Sequence, residues 1–127
     1  MRHLNWAEFD AAVERIAAMG QGMTLSGVYG LPRGGLPLAV ALSHRLGVPL
    51  LQAPAFGCLL VDDVYETGRS LEPYQGLPAL TAVWISKAEP TWWKAAEVVS
   101  SSEWLVFPWE DPAAAQTDEE NYRASRE

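Results

Sequence analysis

The chain has 127 residues, 49% of them hydrophobic, and 16 acidic against 9 basic side chains give a formal charge of −7. That length supports one compact core rather than two ordinary domains, and the acidity argues against a nucleic-acid surface, which needs clustered Lys and Arg. No apolar run approaches the roughly 20 residues that cross a bilayer, and the single cysteine, Cys58, cannot close an internal disulfide.

The first ten residues, MRHLNWAEFD, reach acidic side chains too soon for a signal peptide, so a cytoplasmic protein is expected. Trp6, Phe9, Val13 and Ile16 follow at spacings of three and four, which predicts an amphipathic helix. Asn5 and Glu8 form a capping box at its start, Leu4 and Phe9 take the staple positions, and Gly20 ends it. Next come LSGVYG, read as a strand, the glycine-rich GLPRGG, and LPLAVALSHRLG, a helix ending on Gly47. VPLL, GCLLV and LTAVWI are short continuous apolar runs, as in strands covered on both faces. Cys58, inside the second run, is expected to pack rather than react. TWWKAAE is read as one or two helical turns, and SEWLVFPWE as a strand ending at Pro108.

Strands alternating with helices predict an α/β fold, a mainly parallel sheet flanked by helices that binds ligands beyond the carboxyl ends of its strands. One domain is expected over residues 1–110. Residues 111–127 form an acidic tail, either frayed or a short surface helix; from Glu110 onward six acids face two arginines. Much of the negative charge therefore lies outside the body, which can still accept a phosphorylated small molecule. His3 and His44 are too far apart to give metal-ligand spacing.

The chemistry concentrates in CLLVDDVYETGRSL, residues 58–71. Asp62 and Asp63 close a buried-looking strand, where two adjacent carboxylates repel unless something uses them. A sugar diol can donate a hydrogen bond to each, and a divalent cation is the other natural partner. Four residues on, Glu66 to Ser70 supply backbone amides, the Thr67 and Ser70 hydroxyls and the permissive Gly68, read as the start of a helix and hence as an anion cradle. Diol acceptors beside an anion cradle describe a ribose 5-phosphate site. A capped helix after a strand, with Asp63 solvated, fits the same pattern.

The segment LLVDDVYETGRSL resembles the phosphoribosyl pyrophosphate signature of the type I phosphoribosyltransferases, with a reduced hood expected for so short a chain. The resemblance implies that Asp62 and Asp63 hold the ribose 2′ and 3′ hydroxyls, with any metal contact running through ribose or water, and that Glu66, Thr67, Gly68, Arg69 and Ser70 wrap the 5-phosphate. GVYGLPRGGLPLAVALSHRLGVP resembles the family's pyrophosphate-gripping segment. Arg33 would bond the pyrophosphate, Gly34 and Gly35 would let amides approach it, and the Pro32–Arg33 peptide bond would be cis.

Among the branches, the xanthine and hypoxanthine-guanine phosphoribosyltransferases fit best. AVWISKAEP nominates Lys87 as donor to a purine 6-oxo group, and EWLVFPWED nominates Trp104 and Leu105 to cover the base. Alone, Lys87 also reads as a solvated strand end and Trp104 as a core or interface residue; Trp92, Trp93 and Trp109 are read as packing or dimer contacts. The family chemistry implies Mg²⁺ on the pyrophosphate and ribose hydroxyls, with Asp63 and Arg33 on the substrate. Glu66 would be the base, in a place where the relatives carry Asp. A homodimer or higher homo-oligomer is also implied.

One departure is large. Relatives carry a long mobile lid before the acidic strand, and here only QAPAFG, Gln52 to Gly57, stands there. A non-catalytic binder of phosphoribosyl pyrophosphate or a nucleotide therefore stays open beside the enzyme, with an acidic, Trp-rich interaction protein as a third reading.

Overall fold

The computed structural model describes residues 1–77 and 80–126. Helix α1 spans Trp6–Met19. Its start is set by two reciprocal bonds: the Glu8 amide donates to Asn5 Oδ1 at 2.8 Å, and the Asn5 amide donates to Glu8 Oε1 at 3.1 Å. This is the capping box read from the sequence. Phe9, Val13 and Ile16 are buried as the stripe requires, whereas Trp6 is 53% exposed.

The chain divides into two compact units, Met1–Ala11 with Ser101–Glu127, and Ala12–Ser100. In the smaller, β1 (Arg2–His3) pairs in parallel with β6 (Leu105–Val106). Phe107 stacks on Trp109, with ring centroids 5.2 Å apart, and Trp109 also meets Phe9 and Trp6. Residues Pro112–Arg126 form helix α3, so the acidic segment is ordered as a helix.

The larger unit holds β2 (Val28–Gly30), α2 (Leu36–Leu46), β3 (Leu59–Tyr65), β4 (Leu80–Ser86) and β5 (Lys94–Val98). Among the described residues the strands form one sheet in the order β2-β3-β4-β5, every neighbouring pair parallel. Helix α2 packs on β2 and β3. It comes close because Gly30 has no side chain: a Cβ there would meet Ala39 and the Gly35 carbonyl. The helix ends at Gly47 in the left-handed region, φ 66°, where a glycine is cheap.

The alternate residues of the sheet face a second cluster, in which Leu31, Cys58, Leu60 and Val83 pack with Leu71 and Trp93, joined by Tyr65, Tyr74 and Leu77. Cys58 is fully buried there, as packing predicts. Each large apolar side chain so covered contributes roughly 1.5–3 kcal/mol.

Two local expectations are corrected. TWWKAAE is not helical: residues 91–93 are bends, and Lys94–Val98 pairs with the outer edge of β4 and satisfies that strand's backbone. VPLL makes no full strand. Leu50 forms an isolated bridge to Val28, held by the Val28 amide to Pro49 O and the Leu51 amide to Val28 O, both 2.8 Å. The connection that follows lies at the amino end of the strands, where Ser26 Oγ donates to Phe56 O at 2.9 Å and the Ser26 amide donates to Gly57 O at 3.0 Å. No helix among the described residues is long and apolar enough to cross a membrane.

Candidate functional site

Three turns leave the carboxyl ends of β2, β3 and β4, the edge at which parallel sheets bind ligands. After β2, the Leu31 amide donates to Val61 O at 3.0 Å and ties the first turn to the acidic strand. The Pro32–Arg33 peptide bond is cis. Arg33 is exposed, its carbonyl accepts the Leu36 amide at 3.1 Å, and among the described residues its side chain has no ion-pair or hydrogen-bond partner. Gly34 lies directly against Asp63, whose carboxylate fills the space a Cβ would need.

Gly35 differs from the expectation that its amide faces a ligand. Its N–H donates to Leu31 O at 2.8 Å, and a Cβ at this position would meet Val61 O and the Leu31 backbone. Its missing side chain serves the close packing of the turn on β3.

The acidic pair is held by its own backbone. The Asp63 amide donates to Asp62 Oδ1 and the Val64 amide to Asp63 Oδ1, each at 2.8 Å. Asp62 is 7% exposed. Burial, with the neighbouring Asp63 carboxylate adding to it, pushes Asp62 up to about 8, and burial raises Asp63 as well. Near neutral pH the pair therefore retains a proton, since two desolvated charges side by side cost too much. Hydroxyl donors or a cation would relieve that cost.

The turn after β3 is not the start of an α-helix. Residues 66–71 form bends and turns, followed by a single 3₁₀ turn, Glu72–Tyr74. Pro73, Gly76 and Pro78 were the sequence signal against a helix. The dipole contribution to an anion cradle is thus absent.

What remains is a set of donors. The Arg69 amide reaches Thr67 Oγ1 only at 3.4 Å, and among the described residues the amides of Thr67, Gly68 and Ser70 make no hydrogen bond. Gly68 has φ 83°, a conformation that favours glycine. Thr67, Arg69 and Ser70 are exposed. Three free amides, two hydroxyls and the Arg69 cation are the donors that an anion site without a helix would use.

The third turn brings together two residues read as having separate roles. Lys87 Nζ lies 2.8 Å from Glu66 Oε1, and the Lys87 amide donates to Tyr65 O at 2.8 Å. Beside them Tyr65 stacks on Trp93 with centroids 3.7 Å apart and planes 13° from parallel. Trp93 Nε1 donates to the buried Ser86 Oγ at 3.1 Å. In sequence Trp93 reads as a packing or dimer contact and nothing singles out Tyr65 or Ser86, because a pairing of positions 28 residues apart has no local signal.

Trp104 and Leu105 belong to the smaller unit. Trp104 lies 5.3 Å from Tyr122 between ring centroids, and its indole Nε1 is buried without a hydrogen-bond partner among the described residues. Leu105 is buried in β6, opposite Arg2. Among the described residues no group of three His, Cys, Asp or Glu side chains could hold a metal. Two carboxylates with oxygens to spare do suit a magnesium ion that arrives already held by phosphates.

No protein-family model and no curated protein matches this sequence. Solved structures do. A purine phosphoribosyltransferase from Pyrococcus horikoshii is 26% identical over 86% of this chain and 93% of its own, with a TM-score of 0.69. The xanthine-guanine-hypoxanthine phosphoribosyltransferase of Helicobacter pylori is 18% identical over 92% of this chain and 98% of its own, also at 0.69. A hypothetical protein from Neisseria gonorrhoeae with bound ppGpp is 13% identical over 91% of this chain and 92% of its own, at 0.64.

Proposed function

Because this chain has the type I phosphoribosyltransferase fold, we propose that it transfers ribose 5-phosphate from phosphoribosyl pyrophosphate to a purine base, a 6-oxopurine, and releases pyrophosphate. The observation that carries this reading is the meeting of three chemistries at one sheet edge: the carboxylate pair on β3, the Arg33–Gly34 turn packed on Asp63, and the donor-rich turn of residues 66–70.

In this reading Asp62 and Asp63 accept the ribose 2′ and 3′ hydroxyls, which replaces carboxylate repulsion with charge-assisted hydrogen bonds. Thr67 to Ser70 take the 5-phosphate, and Arg33 takes the pyrophosphate. A base nitrogen supplies the electron pair of the new bond to ribose C1 as the C1–oxygen bond to pyrophosphate breaks and its electrons leave with that group. Glu66 accepts the proton from the base, while Lys87 donates to the 6-oxo oxygen. Mg²⁺, near Asp62 and Asp63 through ribose or water, would neutralise the charge growing on the leaving group. A cytoplasmic homodimer or higher homo-oligomer engaged in purine salvage completes the proposal.

The test is to incubate the protein with Mg²⁺, phosphoribosyl pyrophosphate and guanine, xanthine, hypoxanthine or adenine in turn. Pyrophosphate release and nucleotide formation are both measured. Turnover abolished by Asp63→Asn and by Arg33→Ala is the expected result. Absence of turnover with every base refutes transfer.

A second reading, binding without transfer, is favoured by the engagement of Glu66 with Lys87 and by the short Gln52–Gly57 connection. The Neisseria protein of similar fold binds ppGpp. Thermal stabilisation by phosphoribosyl pyrophosphate or a guanine nucleotide, with no product in any assay, is the outcome this reading expects.

A further inference from the structure

The phosphate turn has no helix behind it, so something else must set its shape. The side chain that touches it is Tyr65. A Cβ built on Gly68 would collide with the Tyr65 hydroxyl and ring, so the phenol lies against the middle of the turn. Tyr65 is in turn clamped: its ring stacks on Trp93 at 3.7 Å, its carbonyl accepts the Lys87 amide, and Trp93 is 5% exposed with its indole N–H on Ser86 Oγ. Ser86 is fully buried, and its hydroxyl donates a hydrogen bond to Ala88 O at 2.6 Å. The chain of contacts thus runs from the end of β4 through two aromatic rings to Gly68.

We propose that the Tyr65–Trp93 stack is the positioning element of the phosphate turn, holding the Thr67, Gly68 and Ser70 amides in the arrangement that binds a phosphate monoester. A stacked pair is favourable beyond the area it buries, and burial of Trp93 fixes one of the rings. Between the Lys87–Glu66 ion pair at one end and the Glu72 amide on Gly68 O at the other, the Thr67, Gly68 and Ser70 amides make no hydrogen bond among the described residues, and the Tyr65 contact at Gly68 preorganises this middle part. Tyr65 and Trp93 act through the backbone of residues 66–70 and touch no ligand themselves. The inference rests on reading the site as one for a phosphorylated ribose.

The experiment compares two probes by calorimetry: ribose 5-phosphate, which needs the turn, and inorganic pyrophosphate with Mg²⁺, which the Arg33 loop would grip. Trp93→Leu and Tyr65→Leu are each expected to weaken ribose 5-phosphate on the order of tenfold, the size of one well-placed bond to a charged group, and to leave pyrophosphate within about twofold. Tyr65→Phe and Trp93→Phe, which keep the stack, are expected to restore most of the ribose 5-phosphate affinity. Thermal unfolding identifies a variant that fails to fold, and the Tyr65 pair carries the test if the Trp93 pair does. Equal loss of both probes, or no loss of either, overturns the positioning role while the phosphoribosyl site stands. Failure of the unsubstituted protein to bind either probe overturns the site reading and this inference with it.

Discussion

Lys87 Nζ and Glu66 Oε1 sit 2.8 Å apart, joining the end of β4 to the turn after β3, with the lysine side chain 9% and the glutamate side chain 30% exposed. In the proposed reaction the donor to the base oxygen and the carboxylate that takes the base proton would thereby be coupled before any base arrives, and a purine edge entering between them would replace one ion pair with two hydrogen bonds. Lys87→Met and Glu66→Gln are each expected to destabilise the protein by ~1–3 kcal/mol. The double variant should lose less than their sum, by ~0.5–3 kcal/mol. Urea unfolding of the four proteins measures the coupling; strict additivity would show that the pair is not energetically linked. With substrate, Lys87→Met should lower guanine or hypoxanthine use more than adenine use, and an unchanged preference removes Lys87 from base recognition.

The acidic pair sets a pH dependence of its own. Burial holds Asp62 far above its ordinary 3.8, up to about 8, and Asp63 is raised too. An acid raised in the folded state stabilises the fold while protonated: the contribution is full below the unfolded value and is lost as pH rises through the folded one. The melting temperature of the ligand-free protein should therefore fall between about pH 4 and 8. Asp62→Asn should flatten that fall and stabilise the protein by ~1–3 kcal/mol near pH 8, by removing one of two repelling charges. A fall that persists unchanged in Asp62→Asn assigns it to other groups.

Gly34 and Gly35 are neighbours with different work. A methyl at Gly34 meets a carboxylate that can turn aside, whereas one at Gly35 meets Val61 O at 2.5 Å and the Leu31 amide nitrogen at 2.8 Å, both backbone. Gly35→Ala should cost ~1–3 kcal/mol of stability, in the range of an overpacked core. Gly34→Ala, which must turn the Asp63 side chain off the Val64 amide, should cost less than Gly35→Ala and, in the proposed site, weaken phosphoribosyl pyrophosphate through the displaced Asp63. The contrast is checked by urea titration beside calorimetry; equal destabilisation by the two substitutions refutes it.

What was legible in the sequence is what depends on near neighbours. Asn5 and Glu8 are three residues apart, and their capping box is present. The run before Asp62 is a strand, and the order of glycine loop, helix and acidic strand holds. Segments decided by distant partners were opaque. Lys94–Val98 has no strong β-formers in its middle and became a strand because β4 offered an edge. The turn at 66–71 looked helical from its donors alone, whereas Pro73 and Gly76 downstream prevent a helix from forming. Tyr65 and Trp93 are ordinary aromatics until the fold lays one on the other.

The short connection before β3 bears on water. Gln52–Gly57 is anchored at the amino end of the strands through Ser26, with Phe56 78% exposed, and the acids lie at the opposite, carboxyl end. In the proposed reaction a loop so placed would not screen ribose C1 from water. If transfer occurs, water should compete with the purine for C1, giving ribose 5-phosphate and pyrophosphate in place of nucleotide. Pyrophosphate release should then exceed nucleotide formation at subsaturating base, and release without base should be measurable. Asp63→Asn should suppress both together, since both need the same ribose contact. A one-to-one ratio at every base concentration would mean that the site is closed by some other segment or subunit.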